Sequence, residues 1–395
     1  MGMKILSIET SCDETGICIL TSHTPDSVEI SGNALASQID LHAQYGGVFP
    51  AMAKREHTEK ILPLTIEALS QANLLVQEKS ELSEIQKQHI RDICTRDTVL
   101  ADYLIDFFSS YKKPDIDYIA CTVGPGLEPA LWVGVNTAKS FATIWNIPLI
   151  PINHMEGHIV TAVIQKTTGE NFIFTNLALP ALALLVSGGH TELVLVENIG
   201  HYTKIGQTRD DAVGEAFDKI ARMLGLAYPG GPKVSKLAKE FRASGTTQPF
   251  ILPRPMMHTQ DYDFSFSGIK TAMLYTIRDL TEQNTRELTD EEKSALACAF
   301  EDAAIEVLIK KTMRAVAEHH IQTLIIGGGV AGNTYLKEQL TLATNKAGIT
   351  LLTPEQWLAT DNAVMIGLAA TLQVLSGNIH TPELSTIRAD GNMTL

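Results

Sequence analysis

Two histidines in the segment HMEGH are the residues of this sequence best suited to bind a metal. His154 and His158 are four positions apart, so on a helix their Cβ atoms lie roughly 5–6 Å apart on one face. From that face both imidazoles reach one ion at the roughly 2.0–2.1 Å of zinc-type nitrogen ligation. We take Asp361, at the start of the last predicted helix, as the candidate third ligand. Spacing alone does not bring Asp361 to the histidines, and a pair of surface histidines remains the alternative.

The position of Glu156 argues against a zinc protease. In the His-Glu-x-x-His motif of such enzymes, the glutamate is adjacent to the first histidine and acts as the general base. Glu156 instead follows His154 by two residues, about 200° around a helix by its period of 3.6 residues. The pattern therefore predicts a metal site without the base that peptide hydrolysis needs.

Four glycine-rich segments are suited to turn backbone N–H groups toward an anion. The sequence contains neither a GxxxxGK[ST] phosphate loop nor a GxGxxG motif after an N-terminal strand, so a nucleotide would bind in neither of those ways. Each segment alone is equally typical of an ordinary turn. The segments are 124–126, 187–191, 230–231 and 327–333.

Two sets of charged residues have a functional and a simpler interpretation. Asp218 and Lys219 interrupt an apolar helix, and by pattern alone a solvated helix face is the favoured explanation. A second, cationic set recurs every three positions and forms a stripe that suits RNA phosphates, although a solvated face is at least as typical. This stripe consists of Lys233, Lys236, Lys239 and Arg242.

Alternating strands and helices predict an α/β chain. Residues 3–8 and 16–20 form a predicted hairpin with an acidic turn that includes Glu9, and residues 181–196 form a second hairpin. This repetition predicts two related lobes, which we place at 1–150 and 151–395. A helix over 55–72 is predicted to kink or break at Pro63, and the charged stretch 76–106 is predicted to be a surface insertion.

The composition is typical of a globular chain from a reducing compartment. With 395 residues the chain exceeds one ordinary core, and its five scattered cysteines form no Cys-x-x-Cys pair. We expect a cytoplasmic protein without a membrane partner, because no targeting peptide or membrane-spanning apolar run is visible. The formal net charge of −14 means that RNA binding requires a local basic patch or a basic partner.

Nine sequence blocks keep one order from residue 3 to about residue 370. They are IETSCDET, HTEKILPL, GPGLEPALWVGVNTAKSFA, NHMEGHI, LLVSGGHTELVLV, DDAVGEAFDKIARMLGLAYPGGP, FSFSGIKTA, GGGVAGN and TDNAVMIG. In this order they resemble the TsaD family of tRNA threonylcarbamoyladenosine transferases. The resemblance implies two actin-like lobes that flank a nucleotide-binding cleft, with the helix from about residue 361 closing it.

The same resemblance implies a reaction and its site. The threonylcarbamoyl group would pass from threonylcarbamoyl-AMP to N6 of adenosine 37 in tRNAs that read ANN codons. His154, His158 and Asp361 would bind one divalent metal, usually given as iron, with zinc and magnesium as alternatives. Asp13 and Glu14 are our candidates for orienting or deprotonating the amine. The residues implied to hold the nucleotide part of the substrate are Leu185, Val186, Ser187, Gly188, Gly189, Asp218, Gly231 and Asn333.

The resemblance also implies partners. Bacterial members work on tRNA with a TsaB-like paralogue and a TsaE-like ATPase, whereas organellar members act as homodimers. Leu185 stands where archaeal members offer a tyrosine to the metal, and Ser235 stands where they carry a glutamate near the ribose, so the likeness is to bacterial or organellar members. The alternatives are a small-molecule kinase of actin-like fold, a metalloprotease, and a non-catalytic assembly protein.

Overall fold

Two mixed β-sheets, each in its own unit, organise the chain. The computed structural model describes residues 2–175, 177–284 and 286–395. The first unit comprises residues 1–42, 48–176 and 360–395, and the second comprises residues 43–47 and 177–359. The helices and strands are β1 (Met3–Glu9), β2 (Glu14–Thr24), β3 (Ser27–Ser37), α1 (Ile39–Ala43), α2 (Pro50–Gln71), α3 (Glu84–Ile93), α4 (Thr98–Ser110), β4 (Tyr118–Gly124), α5 (Glu128–Trp145), β5 (Leu149–Asn153), α6 (His154–Thr161), β6 (Ile164–Lys166), β7 (Asn171–Phe174), β8 (Ala181–Val186), β9 (Thr191–Asn198), β10 (His201–Gln207), α7 (Val213–Met223), α8 (Gly231–Ser244), α9 (Ser267–Asn284), α10 (Asp290–Glu318), β11 (Thr323–Gly327), α11 (Thr334–Ala347), β12 (Thr350–Leu352) and α12 (Ala363–Leu375), with short 3₁₀ turns at Gly329–Gly332 and Gln356–Leu358.

The unit boundaries differ from the predicted division at residue 150. Residues 151–176 remain in the first unit because β6 and β7 extend its sheet beyond β3. Residues 360–395 return to the first unit because α12 packs on β1, β2 and α6. The chain therefore leaves the first unit and comes back to it, and no local sequence pattern predicts this arrangement.

The first unit has a seven-stranded sheet in the order β5-β4-β1-β2-β3-β7-β6. The predicted hairpin is present, since β1 and β2 pair antiparallel. β1 pairs parallel with β4, and β4 pairs parallel with β5. Because the carboxyl ends of parallel neighbours meet at one edge, residues that follow these three strands lie close together.

Two helices of the first unit differ from their predicted form. α2 continues from Pro50 to Gln71 with Pro63 inside it, so the predicted break is absent. Buried Leu62 and Leu64 on either side of the proline hold the helix against the core. The prediction of a surface insertion at 76–106 is wrong for α4, because Leu100 and Leu104 of α4 are fully buried in the core.

The second unit has a five-stranded sheet in the order β10-β9-β8-β11-β12. The predicted hairpin over 181–196 corresponds to β8 and β9, and β11 runs parallel to β8. The long helix α10 begins with a capping box in which Thr289 and Glu292 satisfy each other's backbone N–H groups. Among the described residues, no helix is both long and apolar enough to cross a membrane.

His57 lies beneath the turn that joins β1 to β2. Its Nε2 is 3.1 Å from the carbonyl oxygen of Cys12, and its Nδ1 is 2.7 Å from the hydroxyl of Thr15. These partners fit a neutral ring that donates from Nε2 and accepts at Nδ1. Burial lowers the pKa of His57 to about 4, so the folded chain keeps this ring neutral.

The lowered pKa predicts a loss of stability in acid. As the pH falls below about 6.5, the unfolded chain takes up a proton that the folded chain does not accept until about pH 4. The contribution of His57 to the free energy of unfolding should therefore fall by about 3 kcal/mol across this window and by no more below it. The measurement is urea unfolding between pH 7 and pH 4 in a Trp357→Phe background, in which Trp132 and Trp145 report on the first unit.

The matched comparison is His57→Gln against His89→Gln, since His89 is an exposed histidine. His57→Gln should flatten the acid loss, and His89→Gln should leave it as it is in the parent. Equal pH dependence in all three chains would show that His57 is not responsible.

Candidate metal centre and nucleotide-binding turns

His154, His158 and Asp361 come together in the first unit, as predicted. Each offers one ligand atom, and the three atoms lie within 4.8 Å of one another. Oδ1 of Asp361 is 3.4 Å from Nε2 of His154 and 3.2 Å from Nε2 of His158. The two imidazole rings stand edge to face, with their centroids 4.7 Å apart. The donor set of two imidazoles and one carboxylate suits several divalent metals.

Local structure positions each of the three side chains. α6 begins directly after β5, where the side chain of Asn153 caps the helix by accepting from the N–H of Met155. α12 begins at Ala363, and Asn362 caps it by accepting from the N–H of Met365. Asp361 is therefore held just before a helix start, and the two histidines occupy the first and second turns of another helix.

Close approach of α6 and α12 requires glycine at Gly157. A Cβ atom added there would lie 2.9 Å from Cγ of Met365 in α12, closer than side chains pack. Substitution would therefore push apart the helices that carry the histidines and follow the aspartate.

His154 is oriented by residues from two neighbouring strands. Its Nδ1 lies 3.2 Å from Oε2 of Glu9 and 3.1 Å from the hydroxyl of Ser11. Glu9 is fully buried at the end of β1, and its carboxylate also accepts from the hydroxyl of Thr122 and from the N–H of Ser11, each at 2.5 Å. A carboxylate at Nδ1 directs the proton there and leaves Nε2 free to bind a metal.

His158 provides a direct test of whether this cluster fits a metal. The side chain is fully buried, and its Nδ1 has no hydrogen-bond partner among the described residues, while its Nε2 lies 3.2 Å from Oδ1 of Asp361 without the geometry of a hydrogen bond. Buried polar groups in proteins are generally satisfied, and an ion held between His158 and Asp361 would satisfy this one. The residues present therefore fit a bound metal.

The charged groups of the cluster shift one another's pKa values. Burial raises the pKa of Asp361, but His154 and His158 outweigh it and hold that pKa well below its usual range. Burial lowers the pKa of His154, but Asp361 and Glu9 outweigh it and raise that pKa well above its usual value. The carboxylates are thus kept ionised beside a protonated His154, and a metal cation at this site would displace a proton from that imidazole.

Asp13 lies in the turn between β1 and β2, Glu14 is the first residue of β2, and both belong to the same unit. Asp13 is buried, and the carboxyl of Glu14 accepts from the hydroxyl of Ser37 at 3.2 Å. Burial, followed by the negative charges of Asp361 and Asp13, raises the pKa of Glu14 to about 9. Without a cation, Glu14 is therefore protonated at neutral pH and is not a base.

Glu156 is directed away from the histidine pair, in agreement with the sequence argument. Its Oε2 accepts from the side-chain amide of Gln373 at 2.9 Å. The carboxylate is nearly buried against α12. This carboxylate is not placed to activate a water at the metal ligands.

The predicted nucleotide-binding residues of the second unit form a turn with free backbone donors. Ser187 closes the turn, because its N–H donates to the carbonyl of His190 at 2.9 Å. The N–H groups of Gly188 and Gly189 make no hydrogen bond to another described residue. Leu185 and Val186 are fully buried strand residues, so only their backbone is available to a ligand.

Asp218 and Gly231 lie together at the start of α8. Oδ1 of Asp218 accepts from the N–H of Gly230 at 2.7 Å, and Gly231 also donates to this carboxylate. Burial raises the pKa of Asp218, and these two backbone donors act in the opposite direction. Asp218 is therefore part-buried and bound to the loop, not on a solvated face as its pattern alone favoured.

Asn333 caps α11 and holds two neighbouring side chains. Its Oδ1 accepts from the N–H of Leu336 at 2.8 Å, and its Nδ2 donates to Ser235 at 2.9 Å and to Glu301 at 2.8 Å. This network uses the polar atoms of Asn333 inside the protein. A ligand contact by Asn333 would have to share them.

The predicted cationic stripe on α8 is not a free basic surface. Arg242 binds Glu301 and Asp302 at 2.7 and 2.5 Å and lies over the ring of Tyr335. Lys233 donates to the carbonyl of Ala227, and Lys236 pairs with Glu240. Most of the stripe is therefore used within the second unit.

Sequence reasoning missed Glu9, Ser11 and Thr122. It assigned Glu9 to the acidic turn of the first hairpin, whereas the residue ends β1 and is fully buried. The available signal was a carboxylate directly after the apolar strand MKILSI. A charge at the end of a buried strand needs a partner, and the nearest candidates were the histidines of HMEGH.

Comparison with known proteins identifies the family. The sequence model described as "TsaD: tRNA N6-adenosine threonylcarbamoyltransferase" matches residues 29–82 and 98–368. Residues 83–97, between the two matched segments, contain α3 and lie within the stretch 76–106 that we predicted to be an insertion.

Bacterial relatives match nearly the whole chain. The tRNA N6-adenosine threonylcarbamoyltransferase of Ralstonia pickettii (strain 12J) is 40% identical over 377 residues, which cover 94% of this chain and 92% of the relative. The protein of the same name from Nitrosospira multiformis (strain ATCC 25196 / NCIMB 11849 / C 71) is 38% identical over 382 residues, with 97% and 94% covered.

Two solved structures share the fold. Full-length HypF in its phosphate- and nucleotide-bound form has a TM-score of 0.52 at 10% identity, covering 95% of this chain and 55% of that one. T. kodakarensis HypF has a TM-score of 0.55 at 12% identity, covering 97% and 49%. This chain thus spans about half the length of those proteins, and the likeness concerns the fold alone. The family model and the bacterial relatives confirm the resemblance drawn from the nine blocks. The chain belongs to the TsaD family of tRNA N6-adenosine threonylcarbamoyltransferases.

Proposed function

We propose that the chain transfers the threonylcarbamoyl group from threonylcarbamoyl-AMP to N6 of adenosine 37 in tRNAs that read ANN codons. The family to which the chain belongs supports this activity. The observation that carries the proposal is the cluster of buried His154 and His158 with part-buried Asp361, in which Glu9 orients the first histidine. The proposed place of action is the cytoplasm.

The reaction is an acyl transfer from a mixed anhydride. N6 of the adenosine attacks the carbonyl carbon, the bond from that carbon to the phosphate oxygen breaks, and AMP leaves. The amine loses one proton. His154, His158 and Asp361 would hold one divalent metal, Fe²⁺ being the preferred candidate and Zn²⁺ and Mg²⁺ the alternatives. When bound, such a metal supplies Lewis-acid polarisation of an oxygen at the reacting centre.

The roles of the other residues follow from their contacts. Glu9 keeps the proton of His154 on Nδ1, so that Nε2 stays available for a ligand bond. The free N–H groups of Gly188 and Gly189 suit the phosphate of the adenylate, because oriented backbone donors stabilise anionic oxygens. Asp218 and Gly231 are proposed to contact the ribose or base, with Leu185, Val186, Ser187 and Asn333 shaping the same pocket.

Asp13 and Glu14 are the proposed groups that orient or deprotonate the amine. A cation at the histidine cluster would lower the pKa of Glu14, because its raised pKa comes partly from the charges of Asp361 and Asp13. With a cation bound there, Glu14 would be available to orient or deprotonate the amine.

The proposed partners are tRNA, a TsaB-like paralogue and a TsaE-like ATPase. Because the chain has a formal net charge of −14 and tRNA is also negative, a partner protein that supplies positive charge would assist tRNA binding. A metalloprotease is disfavoured because Glu156 is bound to Gln373. An actin-like kinase is disfavoured because the buried histidine pair would have no role in its reaction.

Mutation of the metal ligands should abolish modification. Purified chain is mixed with threonylcarbamoyl-AMP, unmodified tRNA and each candidate partner, and nucleosides are analysed by mass spectrometry after digestion. Asp361→Asn and His154→Ala should lower the rate by about 100-fold or more, since a metal site that loses one of three ligands holds its ion poorly.

The matched control is Glu156→Gln, which changes a carboxylate of the same helix that faces α12. It should keep most of the activity. Absence of modified adenosine with every partner would refute the proposed reaction, and full activity in His154→Ala would refute the role of the cluster.

Loss of the orienting carboxylate should weaken metal binding without removing a ligand. Glu9→Gln should raise the dissociation constant for Fe²⁺ or Zn²⁺ by about 10- to 100-fold, because the amide no longer fixes the imidazole in the right tautomer. The measurement is anaerobic titration calorimetry on the isolated chain. Glu128→Gln, an exposed carboxylate of the same unit, should bind as the parent does, and equal affinity in Glu9→Gln would contradict the assigned role.

A further inference from the structure

The first unit contains a large cavity whose residues have no part in the proposed reaction. Its volume is about 1170 Å³. One side is a face of α5, where every third or fourth residue lines the space and the intervening residues pack into the core. The run spans about 22 Å at about 1.5 Å per residue. The lining residues of this face that carry the argument are Glu128, Trp132, Asn136, Lys139 and Thr143.

The other sides come from two further segments. The end of α3 and the loop after it line the cavity from a part of the chain that the family model does not match, with His89, Asp92, Ile93, Thr95, Arg96 and Asp97. Leu384, Ser385, Arg388 and Ala389, near the carboxyl end, line it as well. The cavity is therefore an elongated groove, built in part by a segment outside the common pattern of the family.

The floor of the groove places a polar side chain beside an aromatic ring. Asn136 is only 6% exposed, and its side-chain amide has no hydrogen-bond partner among the described residues. Because Asn136 lines the groove, its amide is open to water or to a ligand there. Trp132 lies one turn away and is half-buried, and its indole N–H donates to Glu128 at 3.3 Å. An amide and a flat ring on adjacent turns suit a base that both stacks and hydrogen-bonds.

The groove is lined by the carboxylates of Asp92, Asp97 and Glu128 and by four cations, of which Arg96, Lys139 and Arg388 form no ion pair with a described carboxylate. Arg96 is exposed and has no side-chain partner among the described residues. Arg388 and Lys139 donate to backbone carbonyls. Lys54, by contrast, is paired with Asp97 at 3.2 Å.

Lys139 lies in an environment that favours an incoming anion. It is only 8% exposed, and its Nζ is 6.0 Å from the ring centre of Trp132. Burial, followed by the charge of Arg388, lowers the pKa of Lys139. A phosphate between these two cations would relieve both effects.

We propose that this groove binds a single-stranded segment of RNA, with a base on Trp132 and Asn136 and its phosphates on Arg96, Lys139 and Arg388. A cationic groove that follows a backbone, with an aromatic side chain for stacking, is the usual arrangement for single strands. The proposal rests on the proposed function, in which tRNA is the substrate. It supplies the local basic patch that a chain of charge −14 requires, a role that the stripe on α8 does not fill.

The test measures RNA binding in the absence of threonylcarbamoyl-AMP. The probes are unmodified tRNA, a 12-nucleotide oligouridine and AMP, each titrated by fluorescence anisotropy or calorimetry at several salt concentrations. Trp132→Ala should weaken oligouridine binding about tenfold. Arg96→Glu should weaken binding of both RNAs and reduce the salt slope by about 1. Lys79→Ala/Lys113→Ala, two exposed lysines of the same unit, should have little effect.

Folding is monitored in each variant by circular dichroism and thermal unfolding. Arg96→Glu serves as the second variant because the Arg96 side chain is exposed and forms no hydrogen bond or ion pair with another described residue. Three results would overturn the proposal. RNA binding could weaken as much in the double-lysine control as in the groove variants, or it could be unchanged in both groove variants. AMP could also bind in a way that the groove substitutions weaken, while RNA does not bind. Failure of the parent chain to modify tRNA, with groove-dependent RNA binding intact, would defeat the proposed function alone.

Discussion

The contact between Glu9 and His154 is the interaction on which the rest of the site depends. It joins the end of β1 to the start of α6, and Thr122 of β4 completes it from the strand between. A fully buried carboxylate is costly unless it is paired and hydrogen-bonded. The parallel order of β1, β4 and β5 supplies those partners at one sheet edge. The same arrangement turns Nε2 of His154 toward Asp361.

The return of the chain from the second unit supplies the third ligand. Asp361 immediately precedes α12, which packs against β1, β2 and α6. Close approach is possible because Gly16, Gly157 and Gly367 carry no side chain: added Cβ atoms would lie 2.9 Å from Ala363, 2.9 Å from Met365 and 2.6 Å from Leu20, respectively. Packing and chemistry are therefore coupled, since a change that moves α12 also moves the metal ligand.

The sequence permitted good prediction of local features and poor prediction of long-range ones. The hairpin of β1 and β2, the helix at HMEGH and the hairpin of β8 and β9 all follow from short-range periodicity and turn residues. Asp361 was proposed as a ligand because of its helix start, but only the fold brings it to the histidines. Residue spacing also did not predict the burial of Glu9, which depends on the pairing of β1 with β4. Nor did it predict the boundary between the two units, which depends on how β6 and β7 join the first sheet. The partners of Arg242 lie about 60 residues away in α10, so its stripe pattern was misleading.

The coordination of a bound ion tests the central claim most directly. X-ray absorption spectra of the iron-loaded chain, collected under anaerobic conditions, report the number of imidazole ligands through their multiple scattering. The account predicts two imidazole nitrogens and at least one carboxylate oxygen at about 2.0–2.2 Å, with one imidazole lost in His158→Ala. A spectrum without imidazole scattering, or one identical in the parent chain and in His158→Ala, would contradict it.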